Sequence, residues 1–446
     1  MIEAVSTVAR WSVSVMPRWW GLAAGLSVAV LLGCSNNSPM QPSAPGQIAV
    51  SSGNNAPGLV GYAVNHRPAV LVTDASKKPL AGQVVTFAIS TGGGSLVNAV
   101  DTTNAAGIAQ VGQWVLGGSP GVNTLTATVS GSGVGGNPVA FTDTGYAAGY
   151  PITIQPYGAG LPPAAQTAFD SAVAKWERIV YRPLYTVSLS VVTAGTCDVN
   201  TPALAGSTSG VVIFASVDSI DGSGKILAEA GPCYVRTNIP SGSPGNGLTM
   251  AGVIKFDSAD IGGLISGGTL NSVVLHEMAH VIGFGPLWGP PSPPILGNCI
   301  QNLSTPPGTI KDTYFSCPKA QAAFDSIGGT TYTGGHIVPV ENCGTSPFVY
   351  PQCTTGTVNG HWRQVVFGNE LMVGFLPANP QLSVVTIAAQ EDLGYTVNYA
   401  AADPYTHTFT ERAAGAAPLL ALGDDIRHGV IYFVDGTGKV VGSLRQ

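Results

Sequence analysis

The stretch VLHEMAHVIGFG, residues 274–285, carries two histidines four positions apart and a glutamate beside the first. Val273, Val274, Leu275, Met278, Ala279, Val281 and Ile282 surround them. A helix apolar on nearly every side is a buried one. Four residues make just over one turn, so His276 and His280 share a face. Buried imidazoles and carboxylates need partners, and a metal ion supplies them. Two imidazoles can hold one zinc ion, and Glu277 can reach a water that the ion acidifies and act as general base. Gly283 ends the helix and lets the chain turn sharply away. A third histidine six residues past the second would complete the set, but that place holds Pro286.

The surroundings read as an α+β unit over residues 147–400. Leu161-Pro162-Pro163 opens a helix in which Phe169, Val173, Trp176 and Val180 recur at helical spacing. TVSLSVVT (186–193), GVVIFASV (210–217) and MAGVIKFD (250–257) read as strands. MAGVIKFD, placed at an edge, would pair with an extended substrate peptide. Among the other histidines, His66 falls in an upstream β region, and His407 and His428 fall in the C-terminal tail. His336 and His361 both remain open as the third ligand.

His361 stands in NGHWRQVVFGNELMVGFL, with Met372 of an Glu370-Leu371-Met372 turn eleven residues on. LSVVTIAAQEDLGYTVNY (382–399) follows. These segments, with the H-E-x-x-H-x-x-G helix before them, resemble the leishmanolysin-type metzincins over residues 250–400. In that family a long insertion separates the helix glycine from the third histidine. The resemblance implies a zinc endopeptidase in which His276, His280 and His361 bind one Zn2+, Glu277 is the base, and Met372 forms an apolar floor beneath the metal. The segment departs from the family in Arg363, where parasitic members often carry an acid, and in its fewer inserted cysteines. No pro-domain with an inhibitory cysteine is evident, and a free thiol for that role would have to come from six cysteines expected to be paired, so the sequence does not reveal how such an enzyme is kept latent. Two other readings compete. One is a gluzincin-like site with Glu370 or Glu391 as third ligand. The other is an adhesin, an Ig-like stalk carrying an inactive protease fold.

Residues 58–146 read as all-β. PAVLVTD, QVVTFAIS, GIAQVGQWVL and NTLTATVSG are β-branched runs separated by turn sequences. Val72-Thr73-Asp74, Pro79-Leu80-Ala81-Gly82, Val85-Thr86-Phe87, the Thr103, Gly107, Ala109 spacing and Trp114-x-Leu116-Gly117 resemble the bacterial Ig-like domain of the invasin and intimin type. That resemblance implies a spacer or an adhesion module. The fold class expected is therefore multidomain: an all-β Ig-like sandwich followed by an α+β metzincin-type zinc protease domain.

At the N-terminus, Arg18 precedes an apolar run from Trp19 to Leu32 that is too short for a comfortable membrane span. Leu31-Leu32-Gly33-Cys34 resembles a bacterial lipobox. The expectation is a lipoprotein signal peptide over 1–33, a lipid on Cys34 holding the protein to the membrane of the cell envelope, and a flexible linker over 34–57. Ser35 in place of Asp argues for the outer membrane or the surface. Without Cys34, six of the seven cysteines remain, an even number that suits an exported chain. Proximity suggests the pairs 197–233, 299–317 and 343–353. Net charge is −6, and no run of Lys or Arg follows the N-terminus, which argues against nucleic acid as a partner. A protein or peptide substrate is expected instead. The tail, 401–446, holds a candidate hairpin turning at Asp435-Gly436.

Overall fold

The computed structural model describes residues 44–289, 298–305, 308–333, 337–344, 356–409 and 420–445. The signal segment, Cys34, His336 and Cys353 lie outside the described residues.

Alternating apolar and polar residues build a sandwich from ten short strands: β1 (Gln47–Ser52), β2 (Pro57–Leu59), β3 (Ala69–Thr73), β4 (Val84–Thr91), β5 (Ser95–Val97), β6 (Val100–Thr102), β7 (Ile108–Gln110), β8 (Gln113–Val115), β9 (Gly121–Val129) and β10 (Val139–Tyr146). One sheet has the order β1-β3-β7, another β2-β10-β9-β4-β6, and β5 pairs with β8. Along β9, Asn123, Leu125, Ala127 and Val129 point inward at period two. They meet Phe87, Trp114 and Phe141 in a common core. The stretch read as a linker is a strand from Gln47 onward. β1 pairs antiparallel with β3 and buries Ile48. Six residues among Ser, Gly and Asn carry too little apolar signal to stand out from a tether.

The second unit is built on a mixed sheet. β11 (Ile152–Pro156) precedes helix α1 (Pro163–Ile179). A two-residue pair, β12 (Val187–Ser188) and β13 (Ser207–Thr208), is all that forms near TVSLSVVT, which is otherwise turns. Then come β14 (Val211–Asp218), β15 (Ala228–Arg236), β16 (Thr249–Asp257), α2 (Ile261–Ser266) and α3 (Leu270–Val281). Short elements follow: β17 (Ile300–Gln301), β18 (Tyr314–Phe315), α4 (Pro318–Ser326), α5 (Thr330–Thr333), β19 (Val338–Pro339), α6 (Gln364–Phe367), β20 (Phe375–Leu376) and α7 (Val384–Leu393). The tail supplies β21 (Leu420–Ala421), β22 (Val430–Val434) and β23 (Val440–Arg445). The main sheet runs β11-β14-β16-β15-β22-β23.

β16, expected at an edge, is therefore a middle strand, parallel to β14 and antiparallel to β15. The missing neighbour was β15, whose Gly231-Pro232 reads as a turn. Pro232 borders a bulge, one of the few places where a sheet tolerates proline. The tail is part of the same sheet, with β22 parallel to β15 and the β22–β23 hairpin turning at Asp435–Lys439.

Helices α1 and α3 share one core with the sheet, and the Trp176 indole donates to Leu275 O at 3.0 Å to tie them together. A second core contains Leu189, Phe214, Tyr234 and Val434. The Cys197–Cys233 disulfide is part of it, and Cys299–Cys317 closes the loop after α3. Cys343 is also disulfide-bonded, while Cys353 lies outside the described residues. Arg236 is fully buried and, among the described residues, no carboxylate bonds it. It donates to Thr249 O (2.6 Å), Gly210 O (2.6 Å), Tyr185 O (3.1 Å) and Thr208 O (3.4 Å), joining β15 to its surroundings. Among the described residues, no helix is long and apolar enough to cross a membrane.

Candidate metal centre

His276, Glu277 and His280 lie on α3 and are fully buried, as the apolar flanks require. The helix ends where Gly283 takes φ +108°. A Cβ there would sit 2.7 Å from Leu287 Cδ1, so the turn needs glycine twice over. The chain then reverses, and Phe284 O comes within 2.8 Å of His280 Nδ1.

His361 reaches the same point from 81 residues further on. Its neighbour Trp362 packs against Phe284 at 5.1 Å and Trp288 at 5.0 Å between ring centroids. Edge-on and tilted aromatic contacts of this kind dock the ligand-bearing segment onto the turn after α3. The backbone is held as well. Glu341 N donates to His361 O (2.8 Å), and Trp362 N donates to Met372 O (2.9 Å). The insertion between the glycine and the third histidine thus supplies part of the scaffold that holds it.

Each ring is oriented by a carbonyl: His276 Nδ1 faces Leu371 O at 2.8 Å, His280 Nδ1 faces Phe284 O, and His361 Nδ1 faces Thr357 O at 3.1 Å. A carbonyl only accepts, so each Nδ1 carries the proton and each Nε2 presents a lone pair. The three Nε2 atoms converge at 2.9, 3.0 and 3.0 Å. Three lone pairs cannot bond to one another, and one cation satisfies all three. An ion at about 2.0–2.1 Å from each nitrogen fits over a triangle of that size. The donor set therefore fits zinc, and carbonyl-bound Nδ1–H groups are the usual support for zinc-ligating imidazoles. Burial, then the adjoining imidazoles, pushes His280 well below the ordinary histidine range.

Two carboxylates complete the cluster. Among the described residues, neither Glu277 oxygen has a hydrogen-bond partner. Burial, then the Asp425 and Glu229 charges, pushes the Glu277 carboxyl well above its ordinary value. Asp425, from the C-terminal tail, was not foreseen in the sequence. Its Oδ2 lies 3.3 Å from His276 Nε2, 3.2 Å from His361 Nε2 and 3.9 Å from His280 Nε2.

Met372 is fully buried in a turn that Glu370 organises. Glu370 accepts from Met372 N (2.5 Å), Ser383 N (3.0 Å), Ser383 Oγ (2.8 Å) and Thr386 Oγ1 (2.6 Å). The turn also delivers the Leu371 carbonyl to His276. Glu370 is thus committed to the turn, and Glu391 pairs with Lys319 (3.1 Å) and His66 (3.6 Å) elsewhere. Among the described residues, neither joins the cluster of His276, His280, His361 and Asp425 that could hold a metal ion.

No protein-family model and no curated protein matches the chain. Solved structures similar to parts of it include the D0–D1 domain of intimin, at 24% identity and a TM-score of 0.18, covering 23% of this chain and 47% of that one. A C-terminal intimin fragment in complex with the translocated intimin receptor intimin-binding domain has 16% identity and a TM-score of 0.18, covering 41% and 48%. Invasin, described as a bacterial integrin-binding protein, has 15% identity and a TM-score of 0.19, covering 48% and 37%. The chain spans about half the length of the intimin structures. Similarity this low decides nothing about the metal centre, whose reading rests on its geometry.

Proposed function

We propose that the chain is a zinc metalloendopeptidase of metzincin type, carried on an Ig-like stalk. The supporting observation is the convergence of three carbonyl-oriented imidazole Nε2 atoms beside the unpartnered, buried Glu277 carboxylate. A zinc ion bound there would supply Lewis acidity and lower the pKa of water to about 7. Glu277 takes the proton from the attacking water and returns it to the leaving nitrogen. The Leu371, Phe284 and Thr357 carbonyls fix the imidazoles in the ligating tautomer. Met372, Trp288 and Trp362 are buried in the core that carries the site and keep solvent from it. The proposal includes anchoring to the bacterial envelope through lipid on Cys34, in a compartment that accommodates disulfides.

A second reading is a binding protein on the same stalk, with a purely structural metal. Asp425 favours it, because a fourth protein ligand is the mark of a closed, structural zinc site.

Zinc content and cleavage of a mixed peptide library separate the two. The peptidase reading expects one zinc per chain, lost in His361→Ala. It also expects cleavage that disappears in Glu277→Ala while the zinc stays, measured on both wild type and Asp425→Ala. Zinc in every sample with no cleavage in any would leave the binding protein.

A further inference from the structure

We infer that residues 423–434 are a built-in inhibitor that occupies the substrate cleft and closes the metal site with Asp425. The inference deepens the peptidase reading and rests on it. A catalytic zinc needs an open fourth position for water. The Asp425 carboxylate stands on the side where the three Nε2 atoms converge, within 3.2–3.9 Å of each. As the fourth ligand it excludes the water on which Glu277 would act.

The backbone around Asp425 lies as a bound peptide would. Ala230 N donates to Asp425 O at 2.7 Å, and Arg427 N donates to Ala230 O at 2.9 Å. Residues 425–427 thus pair in parallel with β15, and β22 continues the pairing at Tyr234–Arg236. Without the tail, β15 would be an open edge beside the zinc ligands, and open edges accept extended peptides by strand addition. On the opposite wall, Thr357 Oγ1 donates to Gly423 O at 2.8 Å. Ile426 Cδ1 lies against Gly360, where a Cβ would collide with it at 2.2 Å, and against Gly285, where a Cβ would stand a tight 3.1 Å away. Gly285 follows the Phe284 that orients His280, and Gly360 precedes His361. The segment therefore makes main-chain bonds to an edge strand, puts one side chain into a glycine-lined recess and places one group on the metal. The same three contacts would hold a substrate.

The test is access to the metal in the full chain, with Co2+ in place of zinc so that coordination is visible in the d–d spectrum. Acetohydroxamate, a small bidentate chelator, is the probe. Asp425→Ala and the near-isosteric Asp425→Asn are the variants. The inference expects one Co2+ per chain in all three proteins. It expects a wild-type spectrum indifferent to acetohydroxamate, and binding at least tenfold tighter in either variant. Equal binding by wild type and variants would overturn it. So would variants that lose the metal or stay closed to the probe, because Asp425 would then be a structural ligand. Peptide cleavage is read in parallel and judges the other proposal. Variants that open to acetohydroxamate yet cleave nothing, in a library that includes Ile-rich peptides, would keep the strap and discard the peptidase.

Discussion

Thr386 on α7 links Trp362, the neighbour of His361, to the turn that carries Met372. It accepts from Trp362 Nε1 at 2.8 Å and donates to Glu370 Oε1 at 2.6 Å, and all three residues are fully buried. Thr386→Val keeps the shape and removes both bonds. An orphaned buried N–H costs about 1–3 kcal/mol, and a lost bond to a charged group about 1.5–3 kcal/mol. The expected loss is about 3–5 kcal/mol. Thr386→Ser keeps both bonds and gives up one methyl, about 1 kcal/mol. Urea unfolding at neutral pH compares the two, with zinc affinity as a second readout, since the link ends on Trp362 and on the turn carrying Leu371. The difference should also depend on pH. Burial raises the Glu370 carboxyl above its ordinary value despite four donors. The native state therefore holds this proton to higher pH than the unfolded chain, and stability falls as pH rises across that window. Losing the Thr386 donor raises the carboxyl further, so the valine penalty should shrink toward acid. A valine variant no less stable than the serine variant would refute the reasoning.

Arg236→Met should cost about 3–5 kcal/mol in thermal or urea unfolding, because it strands several buried carbonyls. Arg236→Lys should recover little, since an ammonium cannot reproduce the fork. Asp257 is buried, which pushes its carboxyl up. Backbone N–H donors from Ala259, Asp221, Gly222 and Ile220 outweigh this and hold it below the ordinary range. Its contribution is present above the unfolded value of about 3.9 and is lost as pH falls through the lower folded one. Asp257→Asn should thus cost about 2–4 kcal/mol at neutral pH, with the gap from wild type closing in acid-titrated unfolding curves.

The two ends of the site differed in how plainly the sequence shows them. His276, Glu277 and His280 stand on one helix, where a period of 3.6 and an all-apolar flank are local signals. His361 could be singled out only through the motif around it, because its place is fixed by Trp362 packing on Phe284 and by Glu341, contacts no periodicity records. Asp425 left no trace at all. Its role depends on the tail lying along β15, and β15 itself was hidden by Gly231-Pro232. In the sandwich, the runs holding β3, β4, β7, β8 and β9 were legible, but β10 was not read as a strand despite alternating over eight residues, and β1 was lost among small polar neighbours. The carbonyls of Thr357, Phe284 and Leu371 are likewise invisible, since any residue offers a carbonyl and only the fold decides which one faces a histidine.

A metal ion held by this cluster would tie together segments that are remote along the chain: α3, the Leu371 turn, His361 and the tail. Binding free energy at such a site is also free energy of holding those segments in place. That makes the link between zinc and the tail reciprocal: whatever draws Asp425 away changes the affinity for the metal by the same factor that the metal changes the hold on the tail. A structural site and a latched one differ in what takes the vacated position. In a structural site nothing replaces the carboxylate, so loosening the tail and losing the metal are one event. In a latched site solvent takes the position, and the three carbonyl-braced imidazoles keep the ion. Those braces come from Thr357, Phe284 and Leu371, none of which belongs to the tail. The imidazoles are thus oriented by groups other than Asp425, and the strap reading expects the tail to leave without taking the metal with it once the Thr357 Oγ1–Gly423 O bond is broken.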